Sequence, residues 1–183
     1  MLRRGSNHRY LYRTSKNELL YTVLEITEAG LFLTTAHEVP QDLLISKLAD
    51  HLKHVSQVSQ PQWATYVKTG SHASRQPVEK DWWYTRCGSL LRKIYIHGPI
   101  GLTQLESDYG GRKEVGYYVG HHRDAGGSAI RKAIQQLEAA GLVAKQGKRG
   151  RILTGKGVSL LDRQSTDIMK ELAKTKPELA RYL

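Results

Sequence analysis

The chain has 183 residues, 39% of them hydrophobic, and its 28 Lys/Arg, 17 Asp/Glu and 8 His leave a formal net charge of +11. That length holds one domain with an appendage, no apolar run approaches the roughly 20 residues that cross a bilayer, and no apolar stretch of about 7–15 residues follows the basic start as a secretory signal would require. A single cysteine, Cys87, excludes an internal disulfide and suits a reducing, cytoplasmic setting, while so large a positive excess points to a polyanionic partner, nucleic acid first and an anionic membrane surface second.

Residues 3–16 carry Arg3, Arg4, Arg9, Arg13 and Lys16 without apolar periodicity, Leu19 to Leu24 reads as a strand or a short helix turn ending at Gly30, and residues 1–34 as a whole fit a flexible extension or residues upstream of the true start. From Pro40 the pattern is helical: Leu43, Leu44, Leu48 and Leu52 recur at helical spacing, and residues 56–60 end the run. Pro61-Gln62-Trp63-Ala64 reads as a short turn that plants one aromatic. A second helix is expected over residues 79–97, with Trp83, Cys87, Leu90 and Ile94 as its buried stripe and Gly98-Pro99 as its stop. A third spans Leu102, Leu105 and Tyr109 and ends at Gly110-Gly111. Residues 112–124 read as a polar, glycine-bearing loop holding Tyr117 and Tyr118. The fourth helix follows Gly126-Gly127, with Ser128 as its N-cap and Ile130, Ile134 and Leu137 on its inner face. Residues 142–145 and 151–154 then read as two strands around a basic turn. A fifth helix starts near Thr154 or Lys156 and ends near Pro177.

The order helix, helix, helix, hairpin, helix is a mainly α fold, a winged helix-turn-helix-like bundle with a small β-hairpin wing over residues 143–153. The turn between helices three and four is far longer than the usual 3–4 residues. The basic residues concentrate here: residues 112–156 hold ten Lys/Arg against three acids, +7 of the total +11. Lys and Arg bind phosphate by charge and counterion release, and Arg also stacks on bases. Glycines at Gly110, Gly111 and Gly127 let backbone N–H groups approach phosphate, with helix termination as the plain alternative for Gly110. Trp83 belongs to the buried stripe. Trp82 shares its face with Arg86, where it can stack on a base or support the arginine, although core packing is the weightier reading of both tryptophans.

No histidine pair has the further ligands that a zinc site needs, and Cys87 falls on the buried stripe, so no metal, cofactor or catalytic activity is expected. A winged-helix DNA-binding regulator is the alternative, since Gln135 and Gln136 lie on the fourth helix where such proteins read bases. A protein-interaction module within a larger assembly is a third reading.

Four stretches carry a family resemblance: Val39-Pro40 through Leu52; Pro61-Gln62-Trp63 with Val67-Lys68-Thr69-Gly70; Asp81-Trp82-Trp83-Tyr84-Thr85-Arg86-Cys87-Gly88-Ser89-Leu90-Leu91-Arg92; and Tyr109-Gly110-Gly111-Arg112 with Gly126-Gly127-Ser128 through Glu138, Gly150-Arg151, Leu153-Thr154 and Gly157. In this order and spacing the chain, from about Thr35 to Tyr182, resembles the small-subunit ribosomal protein family numbered nineteen of archaea and eukaryotes, its archaeal members above all. The resemblance implies a helical fold with a small hairpin, binding to rRNA in the head of the small subunit beside neighbouring ribosomal proteins, and a part in subunit maturation. It implies roles for Arg86 and Arg92 on the central helix, for Gly110, Gly111 and Arg112, and for Arg131 and Lys132. Two departures stand out: Cys87-Gly88 replaces what is commonly a pair of alanines, which should loosen that helix, and residues before Thr35 have no counterpart.

The expectation is a structural rRNA-binding protein, cytoplasmic and ribosome-associated, monomeric outside the ribosome and away from membranes. Residues 35–183 form its single domain. The RNA-binding set is Trp82, Arg86, Arg92, Lys93, Gly110, Gly111, Arg112, Lys113, Gly127, Arg131, Lys132, Lys148, Arg149 and Arg151. Arg86 and Arg92 are expected on the polar side of their helix, free to be reversed in charge without unfolding the domain.

Overall fold

The computed structural model describes residues 34–176 and residue 179, all within the unit Leu33–Leu183. The expectation for the N-terminal extension falls on residues outside these, Thr34 excepted. The described residues are mainly helical, with five helices and two small antiparallel two-stranded sheets: α1 (Gln41–Lys53), α2 (Trp82–His97), α3 (Leu102–Asp108), β1 (Gly111–Val115), β2 (Tyr118–Arg123), α4 (Gly127–Ala139), β3 (Val143–Gln146), β4 (Gly150–Leu153) and α5 (Gly155–Thr175). None of the described helices is long and apolar enough to cross a membrane.

α2 is the hub, packed against α1, α4, α5 and β4. Its stripe Trp83, Cys87, Leu90 and Ile94 is buried as the spacing predicts. The neighbouring Trp82 and Leu91 are buried too, so the helix is enclosed on more than one side. Each fully buried Leu or Ile contributes roughly 1.5–3 kcal/mol, which makes α2 the largest contributor to the core. α1 brings Leu44, Leu48 and Leu52 to it, whereas Leu43, expected on the same stripe, is 44% exposed. Gly88 sits where α1 crosses α2: a Cβ there would lie 3.2 Å from the Ile45 carbonyl and from the Leu48 Cβ. The glycine that lowers local helix propensity thus also lets the two helices approach.

Residues 112–124 are not a loop. They contain the β1–β2 hairpin, with Arg112 opposite His122, Lys113 opposite His121 and Val115 opposite Tyr118. Its two-residue turn places Gly116 at φ 56°, the positive value that tight hairpin turns need. Alternation of apolar and polar residues signals a strand only when one face is buried. Neither strand buries a residue, so no such alternation marks them. The long turn between α3 and α4 is therefore an inserted hairpin. It is tied down at its base, where Gly70 bridges Ala125 and the Ala125 and Gly126 N–H groups donate to Glu106 and Thr69 carbonyls, both at 2.9 Å.

α4 starts at Gly127 after Gly126, so Ser128 lies inside the first turn and makes no side-chain cap. Strands β3 and β4 pair from Val143 with Leu153 to Gln146 with Gly150. Ile100 joins them as a third edge, exchanging backbone hydrogen bonds of 3.1 and 2.9 Å with Arg151. Gly150, at φ 119°, is required there, because a Cβ would run into the Ile100 carbonyl. Thr154 caps α5 by accepting from the Gly157 N–H at 3.2 Å and donates to the Gly141 carbonyl at 2.7 Å.

Gly88→Val should therefore destabilise the protein by about 1–3 kcal/mol through overpacking, read as a lower urea midpoint. An unchanged midpoint would show that α1 and α2 separate at no cost.

Candidate nucleic-acid interface

α4 turns Ile130, Ala133, Ile134 and Leu137 inward. The i, i+3, i+4, i+7 series Ser128, Arg131, Lys132 and Gln135 therefore stands outward, and all four are exposed. Beside them lies Trp63, on a single 3₁₀ turn (Gln62–Thr65), 37% exposed. The five residues line one shallow basin of about 330 Å³. Neither Arg131 nor Lys132 has an ion pair among the described residues. Trp63 lies edge-on to Trp83, ring centroids 5.5 Å apart. The Trp83 indole N–H donates to Gln136 Oε1 at 2.9 Å, and Gln136 Nε2 donates to the Ser59 carbonyl at 2.7 Å. Trp63 was absent from the sequence-derived set. Its signal was a lone aromatic on a proline turn, which does not announce that the fold carries it to α4.

A second basic group gathers Lys68, Arg112 and Lys113, with His72 and one acid, Glu114, around a cleft of about 250 Å³. Gly111 abuts the His72 ring, and a Cβ on Gly110 would meet the Arg123 carbonyl at 2.5 Å. These glycines make room for the hairpin base. Gly127 faces the Glu106 carboxylate, which would collide with any Cβ, so the N-terminus of α4 already has an internal anion beside it.

Lys148 and Arg149 are exposed at the β3–β4 turn. Arg151 below them is committed, its Nε 3.2 Å from Glu138 Oε1, tying the wing to α4. Lys93 is likewise paired with Asp108 at 3.2 Å. The Gln104 amide first, and then Lys93, hold that carboxyl below its ordinary range.

The central-helix arginines are more enclosed than expected. Both are half-buried. Arg86 lies with its guanidinium 4.2 Å from the centre of the Tyr109 ring, and Lys93 stands 4.6 Å from the same ring. Tyr109 shares a 2.7 Å hydrogen bond with Ser89. Burial pulls the Arg86 pKa down and pushes the Tyr109 hydroxyl up. Arg86 has no ion pair among the described residues and opens onto a cavity of about 400 Å³ walled by Trp82, Thr85 and Ser89, with Asp42 and Glu79 also lining it. Arg92 has its Nε buried without a partner. Charge reversal at either position would therefore act on the fold as well as on any ligand. Trp82 is only 7% exposed, and its N–H donates to the Ala64 carbonyl at 3.1 Å. It is a core residue, with one edge on the cavity that Arg86 also lines.

Cys87 is buried, its thiol pushed up to about 12 by desolvation, so it does not serve as a nucleophile at neutral pH. No cluster of three metal-ligating side chains occurs among the described residues.

This division predicts opposite responses. Arg86→Ala should lower the unfolding free energy by about 0.5–2 kcal/mol through loss of the stacked cation. Arg131→Ala and Lys132→Ala should each stay within about 0.5 kcal/mol of the parent protein. Urea denaturation monitored by tryptophan fluorescence measures both, and equal effects at the three positions would refute the division.

The chain is similar to known ribosomal proteins. Residues 35–171 match the family described as ribosomal protein S19e. Small ribosomal subunit protein eS19 of Aeropyrum pernix is 50% identical over 153 residues, covering 82% of this chain and 100% of that protein. Its counterpart in Thermoplasma acidophilum is 41% identical over 145 residues, 79% of this chain and 96% of that protein. Small ribosomal subunit protein eS19B of Drosophila melanogaster is 37% identical over 135 residues, 74% and 87% of the two chains. The chain belongs to the ribosomal protein S19e family, and is a structural protein rather than an enzyme.

Proposed function

We propose that this protein is a constituent of the small ribosomal subunit, cytoplasmic and ribosome-associated, that binds rRNA in the subunit head and is needed for the subunit to mature. The observation that carries the reading is the outward stripe of α4, where Arg131 and Lys132 stand exposed beside Trp63 without an ion pair among the described residues. Exposed, uncommitted cations release phosphate counterions most effectively on binding, and an aromatic beside them offers a stacking surface. Lys148 and Arg149 at the wing, and Arg112 and Lys113 on the first hairpin, extend the same chemistry. Lys93 and Arg151 act differently: their carboxylate partners make them supports that hold Tyr109 and the wing in place. Neighbouring small-subunit proteins complete the surroundings, and the free protein is a monomer.

The edge residue Ile100, α3, α4 and the β3–β4 hairpin, with α2 before them, follow the plan of a winged helix. The β1–β2 hairpin is inserted between the two helices that form the helix-turn-helix in DNA-binding relatives of that plan. Such an insertion lengthens the connection well beyond the tight turn of DNA readers, which supports the RNA reading over the regulator.

The test is a salt titration of binding to small-subunit rRNA. The Arg131→Ala/Lys132→Ala variant should bind more weakly, and its plot of log affinity against log salt should be shallower by about 1.4–1.8. It should also be depleted from small subunits on sucrose gradients. An unchanged slope and normal sedimentation would contradict the assignment of α4 as the binding face.

A further inference from the structure

We propose that the tip of the β1–β2 hairpin is a stacking finger for unpaired rRNA bases, with Tyr117 and Tyr118 as the stacking residues; this rests on the rRNA-binding reading above. Tyr117 is 109% exposed and Tyr118 83%, and they are flanked by Val115 at 52% and Val119 at 73%. Together with Gly116 these five consecutive residues leave the end of the ribbon apolar and uncovered. A two-stranded ribbon with no buried face is marginal by itself. At about 3.3 Å per residue the five residues of β1 carry the tip roughly 17 Å along the strand direction.

The chemistry below the tip selects RNA over an apolar protein pocket. Arg112 and Lys113 lie opposite His122 and His121, so each cation faces an imidazole rather than an acid. The Arg112 side chain lies across Gly120, whose missing Cβ leaves it space, a Cβ there falling 2.6 Å from its Nε. Neither cation has an ion pair among the described residues, and the one pair on the hairpin stem there is His122 with Asp124 at 3.3 Å. The cleft beside the stem gathers Lys68, Arg112 and Lys113 against the single acid Glu114. The His72 Nδ1 is buried without a hydrogen-bond partner. A phosphate in the stem cleft and splayed bases on the tip would engage the cations and the aromatic rings in one nucleic-acid strand, the combination that single-strand binders use. A tyrosine gives each base a flat π-face at little cost in side-chain entropy.

The experiment uses the full-length protein and two fluorescent probes, an unstructured single-stranded RNA oligonucleotide and a blunt RNA duplex of the same composition. Tyr117→Ala/Tyr118→Ala should lose roughly ten-fold or more in affinity for the single strand. Its salt slope and its duplex affinity should remain those of the parent. Tyr117→Phe/Tyr118→Phe should bind the single strand as the parent does, whereas Tyr117→Leu/Tyr118→Leu should not. Parent-like single-strand binding by the alanine variant would overturn the proposal, and rescue by leucine would do so in favour of an apolar protein contact. The Arg131→Ala/Lys132→Ala variant, run in parallel, separates the two claims. If it loses affinity while the tyrosine variants do not, the stacking finger fails and the rRNA-binding reading stands. If the parent binds neither probe, both fail.

Discussion

Trp83 on α2 meets both α4 and the turn that carries Trp63. Its side chain is fully buried, edge-on to Trp63 at 5.5 Å and to Trp82 at 5.6 Å. A buried indole N–H without a partner would cost roughly 1–3 kcal/mol. Gln136 removes that cost by accepting from it, then uses its own amide to donate to Ser59. One polar chain therefore joins α2, α4 and the segment leading to Trp63. Together with the inward stripe Ile130, Ala133, Ile134 and Leu137 it fixes the rotation of α4 that points Ser128, Arg131, Lys132 and Gln135 outward beside Trp63.

Around that joint, the described cations nearest the candidate interface are of two kinds. Lys93, Arg151, Lys47 and Lys53 have carboxylate partners, and Arg86 is stacked on Tyr109. They connect elements: Arg151 links the wing to α4, Lys93 links α2 to the end of α3, and Lys47 links α1 to α5 by its contact with Glu171. Arg112, Lys113, Arg131, Lys132, Lys148 and Arg149 have no such commitment among the described residues. Arg131 and Lys132 sit on α4, and the others on the two hairpins.

The longer helices were legible because each buries at least one stripe, and a stripe leaves a period in the sequence. The wing was legible because Val143 and its partner strand are bounded by glycine turns. The β1–β2 hairpin was not, since Arg112-Lys113-Glu114 and Gly120-His121-His122 bury nothing and so carry no period. The basic region was visible in composition, but composition does not distinguish Arg131, which faces solvent, from Arg151, which Glu138 holds. That distinction depends on contacts between residues far apart in the chain, as does the meeting of Trp63 with α4. Ser128 looked like a cap because it follows glycines at a helix start. The N-cap falls two residues earlier, at Gly126, whose N–H donates to the Thr69 carbonyl.

The placement of α4 against rRNA is read from the reactivity of individual lysines toward an amine-acylating reagent, quantified by mass spectrometry in the free protein and in intact small ribosomal subunits. If α4 and the wing face rRNA, Lys132 and Lys148 should be labelled readily in the free protein and be protected in the subunit. The paired Lys93 should change little. Labelling of Lys132 and Lys148 in the subunit at the free rate would contradict the account.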